Sequence, residues 1–481
     1  MNMDHGHSHF GNGPGRFWAI CLSGAVMFLA GPCSVAQAAE PALPRDDPAQ
    51  GLAASTTTGR DNPEPGQLAE NVTDKHFMEQ VRTAILRHPI VRSGALSERQ
   101  AIQGIDVAKS ALFPQVNGGF EGGPSVVKRP GYQSQTSLAP TAVLTINQLL
   151  FDAGETFDRV AAAEGTAKAE RYQSMTVAQD FALRAVSAYM DVTRLKTQVS
   201  LAQDNLTRHE KLLGRVRERT EGGVGNQADL LRARGRIEEA NAQLISAQGD
   251  YERILAIYQE LFGTQPTHKG LPTVHPLSNG DVNLLVSSAL QNNLELKSAQ
   301  EKTKAAKFES DAEQASRFPK LTFEMEGRKY EVTHLGANDD HEVRALMKVN
   351  YPFYTGGKLE AQRERASLRH AQVGSDEQKV RLEVERQVRS AVTDVSSRTK
   401  TLASLELAVE ADRQTVDNYS DLFIVGDKSL LDLLDAQRDY FNNSVRRINT
   451  RVQLDLSRFV LLQMTGNLLG FFTVEELPDH D

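Results

Sequence analysis

Two periods organise the hydrophobic positions of this chain. From Glu342 to Phe353, the residues Val343, Ala345, Met347, Val349 and Tyr351 alternate with Glu342, Arg344, Leu346, Lys348 and Asn350. A period of two predicts a strand with one apolar and one polar face. Leu321, Phe323 and Met325 alternate in the same way with Thr322, Glu324 and Glu326, and the segment turns polar after Gly327. Matching segments occur earlier, at Gln115–Ser125 and Pro140–Leu150, with Ala142, Leu144, Ile146 and Leu150 holding the apolar face. Gly118, Gly119, Gly122 and Gly123 weaken the first of them. Strand pairs are therefore expected within 115–150 and 320–353.

The second period is helical. Val373, Val380, Val384, Val388, Ala391, Val395, Leu402, Leu405 and Val409 form a stripe that advances about 3.6 residues per helical turn. Proline is missing from residues 141–265 and from 353–477. A helix interior loses about 3 kcal/mol to a proline, so both stretches are free to run as unbroken helices. Lys358 to Leu422 would make a rod of roughly 100 Å. No globular core hides such a rod, so it must lie against other helices.

The pattern is duplicated. Phe151-Asp152-Ala153-Gly154 recurs as Tyr354-Thr355-Gly356-Gly357, a shift of 203 residues. The same shift carries Asp229-Leu230-Leu231 onto Asp432-Leu433-Leu434, Ala233 onto Ala436 and Gly263 onto Gly466. Upstream the shift is 205, taking Ala84 to Ala289 and Phe113-Pro114 to Phe318-Pro319. Each unit reads as helix, strand pair, long helix, turn, helix.

The N-terminus changes the setting. Arg16 precedes an apolar run from Phe17 to Ala30, followed by Pro32 and the small-residue site Ala36-Gln37-Ala38. That run has the length of a signal sequence and is too short to span a bilayer, although a retained anchor is the alternative. Cys21 and Cys33 are the only cysteines and both fall in this segment, so the mature chain is expected to lack thiols. Leu29-Ala30-Gly31-Pro32-Cys33 is similar to a lipobox, but proline precedes the cysteine. His5, His7 and His9 lie in the segment to be cleaved. The expected organisation is a signal peptide over 1–38, a flexible segment over 39–76, a first repeat over 77–263, a linker over 264–283, a second repeat over 284–469 and a tail over 470–481.

The 481 residues are 40% hydrophobic and 24% charged, with a net charge of −8. No basic stripe appears, which argues against a nucleic-acid partner. No phosphate loop, His-Glu-x-x-His or Gly-x-Ser-x-Gly motif is present, and the histidines show no ligand spacing. Neither an enzyme nor a bound cofactor or metal is expected.

If the strand pairs enter a membrane, their backbone polar groups must be satisfied without open edges. Four strands cannot close a barrel, and bacterial examples start at about eight. The barrel would have to be shared between subunits. The repeat layout, Phe113-Pro114-Gln115, Phe151-Asp152-Ala153-Gly154 and the run Gly426-Asp427-Lys428-Ser429-Leu430-Leu431-Asp432-Leu433-Leu434-Asp435-Ala436 together resemble the TolC family of outer-membrane efflux and secretion channels. The resemblance covers about Phe77 to Leu469. It implies a mainly α chain with transmembrane β, a homotrimer with a 12-strand barrel in outer-membrane lipid, and a long helical barrel crossing the periplasm. It also implies a periplasmic adaptor (membrane fusion protein) and an inner-membrane transporter as partners.

The resemblance puts the turn between the last two helices at the periplasmic mouth, with Asp432 and Asp435 at the pore constriction. Their i, i+3 spacing places them on one helix face. On the residues alone, they read equally as two solvated acids supporting a helix N-terminus through its dipole. The family's latch falls on Lys428 and Asp229. Phe423 stands where the best-known member has a tyrosine and lacks the hydroxyl. Arg232 occupies the first-repeat counterpart of Asp435, so only the second repeat carries the doubled acids. A passive exit duct is expected, most similar to members serving type I protein secretion. Drug or metal efflux is the alternative. A structural or adhesive envelope coiled coil is the rival from another class, which leaves the alternating strands unexplained.

Overall fold

The computed structural model describes residues 75–127, 135–138, 140–223, 225–267, 270–272, 281–330 and 340–474. The expected signal peptide, Cys21, Cys33, His5, His7 and His9 lie outside the described residues. So does the segment expected to be flexible, up to residue 74, and so does the tail beyond Val474.

Each segment ahead of the strands is two helices rather than one. In the first repeat these are α1 (Lys75–Arg87) and α2 (Pro89–Ser110). Pro89 disfavours a helical His88, whose backbone is extended and whose ring nitrogen caps Ile90 N–H at 3.2 Å. The second repeat breaks its α5 (Val282–Asn292) from α6 (Leu294–Ala315) without a proline. Asn293 caps α6 through Leu296 N–H at 3.0 Å and donates its amide to Met464 O at 3.2 Å.

The first repeat then supplies β1 (Gln115–Glu121), β2 (Pro124–Val127), β3 (Gln135–Leu138) and β4 (Thr141–Phe151). The expected strand Gln115–Ser125 is interrupted at Gly122-Gly123, where no side chain favours extended backbone, and resumes at Pro124. The second repeat supplies β5 (Lys320–Tyr330) and β6 (Asp340–Asn350). β5 runs past Gly327 because Arg328 and Lys329 stay paired to Glu342 and His341.

All pairings are antiparallel, and β1-β4-β5-β6 form one sheet. The first repeat's β4 thus lies directly on the second repeat's β5. Register places Val116, Phe120, Ala142, Leu144, Ile146, Phe323, Met325, Ala345, Met347 and Val349 on one face. Much of that apolar face is open: Met347 is 73% exposed. The opposite face carries Glu324 and Glu326, paired with Lys348 at 2.5 Å and Arg344 at 3.6 Å. Among the described residues β1 and β6 pair on one side only, so the sheet has two free edges.

The strands lead into long helices, α3 (Glu155–Glu221) and α7 (Lys358–Val425), each roughly 100 Å long. The Phe151-Asp152-Ala153-Gly154 motif makes the first corner. The Asp152 carboxylate accepts from Gly154 N–H at 3.1 Å and Thr156 N–H at 2.8 Å, and Gly154 takes φ +93°. Each long helix turns back through α4 (Gln227–Phe262) or α8 (Leu430–Met464), and the short α9 (Leu468–Phe471) is the last helix of the described residues.

The main core is a belt around the middle of α3. Phe77, Phe181, Tyr189, Tyr258, Phe459 and Phe472 gather there from α1, α3, α4, α8 and the segment after α9. Concentrating the scarce aromatics in one place anchors the rods. Fully burying one such side chain contributes about 1.5–3 kcal/mol. The α7 stripe behaves as its spacing predicts: Val384, Val388, Ala391, Leu402, Leu405 and Val409 are buried, while Val373, Val380 and Val395 are half-buried.

Candidate functional site at the hairpin tips

Both helical hairpins end in tight turns, built differently. At the first tip, Gly223 takes φ +75°. A Cβ on Gly225 would come within 2.7 Å of the Thr220 backbone, so only glycine fits. Asn226 caps α4 by accepting from Ala228 N–H at 3.0 Å. At the second tip Gly426 takes φ +93°, and the N–H groups of Gly426 and Asp427 donate to Leu422 O at 3.1 and 3.0 Å. Ser429 caps α8 in a capping box. Its Oγ accepts from Asp432 N–H at 3.2 Å, while the Asp432 carboxylate accepts from Ser429 N–H at 3.4 Å and Oγ at 2.9 Å.

The structure therefore gives Asp432 a local role while leaving it exposed. Asp435 lies one turn further along, half-buried, with its carboxylate 3.0 Å from Arg438 Nη1. The two acids share a helix face. The expected latch residues do not meet within the chain. Lys428 Nζ sits 4.6 Å from the Tyr419 ring centre, a cation–π contact. Asp229 pairs with Arg232 at 3.8 Å. Phe423 is 5% exposed and packs with Leu212, Val216, Leu230, Leu433 and Leu434 in an apolar cluster drawn from both hairpins.

Near the tips, two arginines on α3 make polar links between the hairpins. Arg215 Nη1 donates to Ser420 Oγ at 2.8 Å. Arg219 Nη1 donates to Phe423 O at 2.8 Å, and its guanidinium lies 4.9 Å from the Phe423 ring centre. A phenylalanine suffices at 423 because its partners are a buried cluster and a cation over the ring. Nothing in the local sequence distinguished Arg215 and Arg219 from other helix-surface arginines, since their partners lie some two hundred residues away.

The tips also differ in charge. Residues 215–236 carry six arginines and three acids, whereas residues 418–439, the positions 203 further on, carry five acids and two bases. Each chain thus presents one basic and one acidic tip. Among the described residues, no group of three His, Cys, Asp or Glu side chains is placed to hold a metal ion, and no helix is long and apolar enough to cross a membrane.

Comparison with known proteins supplies the context. The family described as outer membrane efflux protein matches the chain twice, over residues 81–264 and 285–467. The outer membrane efflux protein BepC of Brucella suis is 24% identical over 382 residues, covering 78% of this chain and 83% of that protein. The alkaline protease secretion protein AprF of Pseudomonas aeruginosa is 25% identical over 312 residues, covering 63% of this chain and 64% of that protein. Among solved structures, the outer membrane protein VceC from Vibrio cholerae has a TM-score of 0.72 at 18% identity, covering 84% of this chain and 99% of that one.

Proposed function

The chain belongs to the outer membrane efflux protein family, and from that premise we propose that it is the exit duct of a three-part export system serving type I protein secretion. It is an outer-membrane channel protein with a helical body reaching into the periplasm. In this reading it conducts passively, receiving cargo from an inner-membrane transporter through a periplasmic adaptor. The likeness to a protease secretion protein supports secretion, with drug or metal efflux as the alternative.

One observation carries the channel reading: a four-stranded sheet with two free edges and an exposed apolar face. In lipid both edges must be paired. A second and third copy pair them, β6 of one subunit against β1 of the next, closing twelve strands. The repeat points to the same boundary in the helices. α3 packs on α6, and α6 is the second-repeat counterpart of α2 as α7 is of α3. The same pairing sets α7 on α2 of the next copy, covering Leu368 and Leu382 with Leu96 and Val107, all exposed in the single chain. Threefold repetition then makes rings of Asp432 and Asp435 at the mouth.

Planar-bilayer recording tests this. The purified protein should conduct and prefer cations, and Asp432→Asn/Asp435→Asn should lower the preference by severalfold and raise conductance. Absence of conductance in both proteins overturns the channel reading. A strain lacking the chain that still exports its large repeat-rich proteins, yet becomes sensitive to drugs or metals, overturns secretion in favour of efflux.

A further inference from the structure

Three turns above the first tip, α3 buries a histidine. His209 is 7% exposed, and its Nδ1 has no hydrogen-bond partner in the protein. The ring is wedged between the two hairpins. Asn205 of α3, Arg236 and Glu239 of α4, and Leu434, Arg438 and Phe441 of α8 line the same cleft. Its charged walls are therefore two guanidiniums and one carboxylate. Arg236 holds Glu239 at 2.7 Å, and Arg438 is engaged with Asp435 at 3.0 Å. Both nearby carboxylates are thus already held by guanidiniums, and a proton on the ring would add an uncompensated positive charge away from water.

The second repeat has no such device. Its counterpart of His209 is Asp412, half-buried, which accepts from Asn443 Nδ2 at 2.8 Å. A like-charge clash under acid is thus built into only one of the two hairpins.

We propose that His209 is a proton-sensitive strut whose protonation loosens the first hairpin from α8 and so favours an open mouth. The last step rests on the reading of the tips as the mouth. The direction follows from the surroundings. Burial, reinforced by Arg236 and only partly opposed by Glu239, pushes the ring's pKa below its ordinary value. A base depressed in the packed state leaves the packing fully stable above the loosened state's value, near 6.5, and withdraws stability as pH falls through the packed value. Taking pH from about 7.5 to 5.5 favours the loosened state by up to about tenfold per chain.

The test uses the full-length trimer in detergent and in bilayers. Amide hydrogen exchange over residues 205–216 and 430–441, corrected for intrinsic rates, is followed at pH 7.5 and 5.5, together with single-channel conductance. Wild type should exchange up to about tenfold faster at the lower pH and open more often. His209→Gln and His209→Leu, both uncharged at either pH, should show neither response. An equal acid response in wild type and in both variants overturns the strut. Exchange that depends on His209 with conductance that does not overturns the assignment of the tips as the mouth while leaving the strut intact.

Discussion

Helices α3 and α7 hold the same place in the repeated unit and differ in length by one residue, 67 against 68. Their surroundings are unlike. α3 buries residues from Glu155 to Val216, close to its full length, whereas α7 buries none before Val384. The reason is position: α3 has α2 of its own repeat on one flank and α6 of the other repeat on the other, while the barrel-side half of α7 has only α6 and α5, both of its own repeat. One residue pair shows the consequence. Gly165 on α3 is pressed against Ala305, where an added Cβ would meet the α6 backbone at 3.2 Å. The position 203 further on is Leu368, 61% exposed. A duplicated sequence has thus produced one wall element complete within the chain and one awaiting a neighbour.

Exchanging the residues at these matched positions should break the comparison most sharply. Gly165→Leu forces α3 from α6 and should cost about 3 kcal/mol, read as a lowered midpoint in thermal unfolding of the detergent-solubilised protein. Leu368→Gly should leave the single chain's own packing intact, costing it only about 1 kcal/mol of helix propensity and otherwise weakening the subunit boundary. Equal losses from both in the dissociated chain would mean that the two helices are not placed differently.

A smaller effect should follow from charging the open flank. Leu368→Glu should cost about 2 kcal/mol at each subunit boundary by forfeiting the burial of a leucine, without lowering the chain's helical content. Sedimentation should show trimer giving way to monomer. A stable trimer would place the boundary elsewhere than α7 and α2.

The tips give the finest contrast. Ser429→Ala and Asn226→Ala should each cost about 1 kcal/mol through a lost cap, seen as faster exchange in the first turn of α8 or α4. Only Ser429→Ala also frees Asp432 from its capping box, so only that variant should shift the reversal potential in a salt gradient. Equal shifts from both would remove any functional meaning from the doubled acids of the second repeat.

Much of this was readable from local pattern. The alternation around Met347 and the stripe through Val388 each report a period that the backbone imposes within a few residues. The glycine corners at Gly154 and Gly426 are legible for the same reason. The site was less so. Asp432 and Asp435 are visible as a same-face pair, whereas the contacts that Lys428 and Asp229 make within the chain were not legible. Lys428 found Tyr419 in the preceding helix, and Asp229 found Arg232 one turn away, because contacts available inside a hairpin need no other element to come into register.

The sequence by itself determined that the chain is doubled, that each half carries strands and proline-free rods, and that one half alone has paired acids at its tip. Tertiary structure alone decided which halves meet. It set β4 against β5, put Arg219 over Phe423 and closed His209 between α4 and α8. The division has a physical cause. Periodicity and turn chemistry act between residues a few positions apart, whereas burial and unpaired charge depend on surfaces that come together only when segments two hundred residues apart pack side by side.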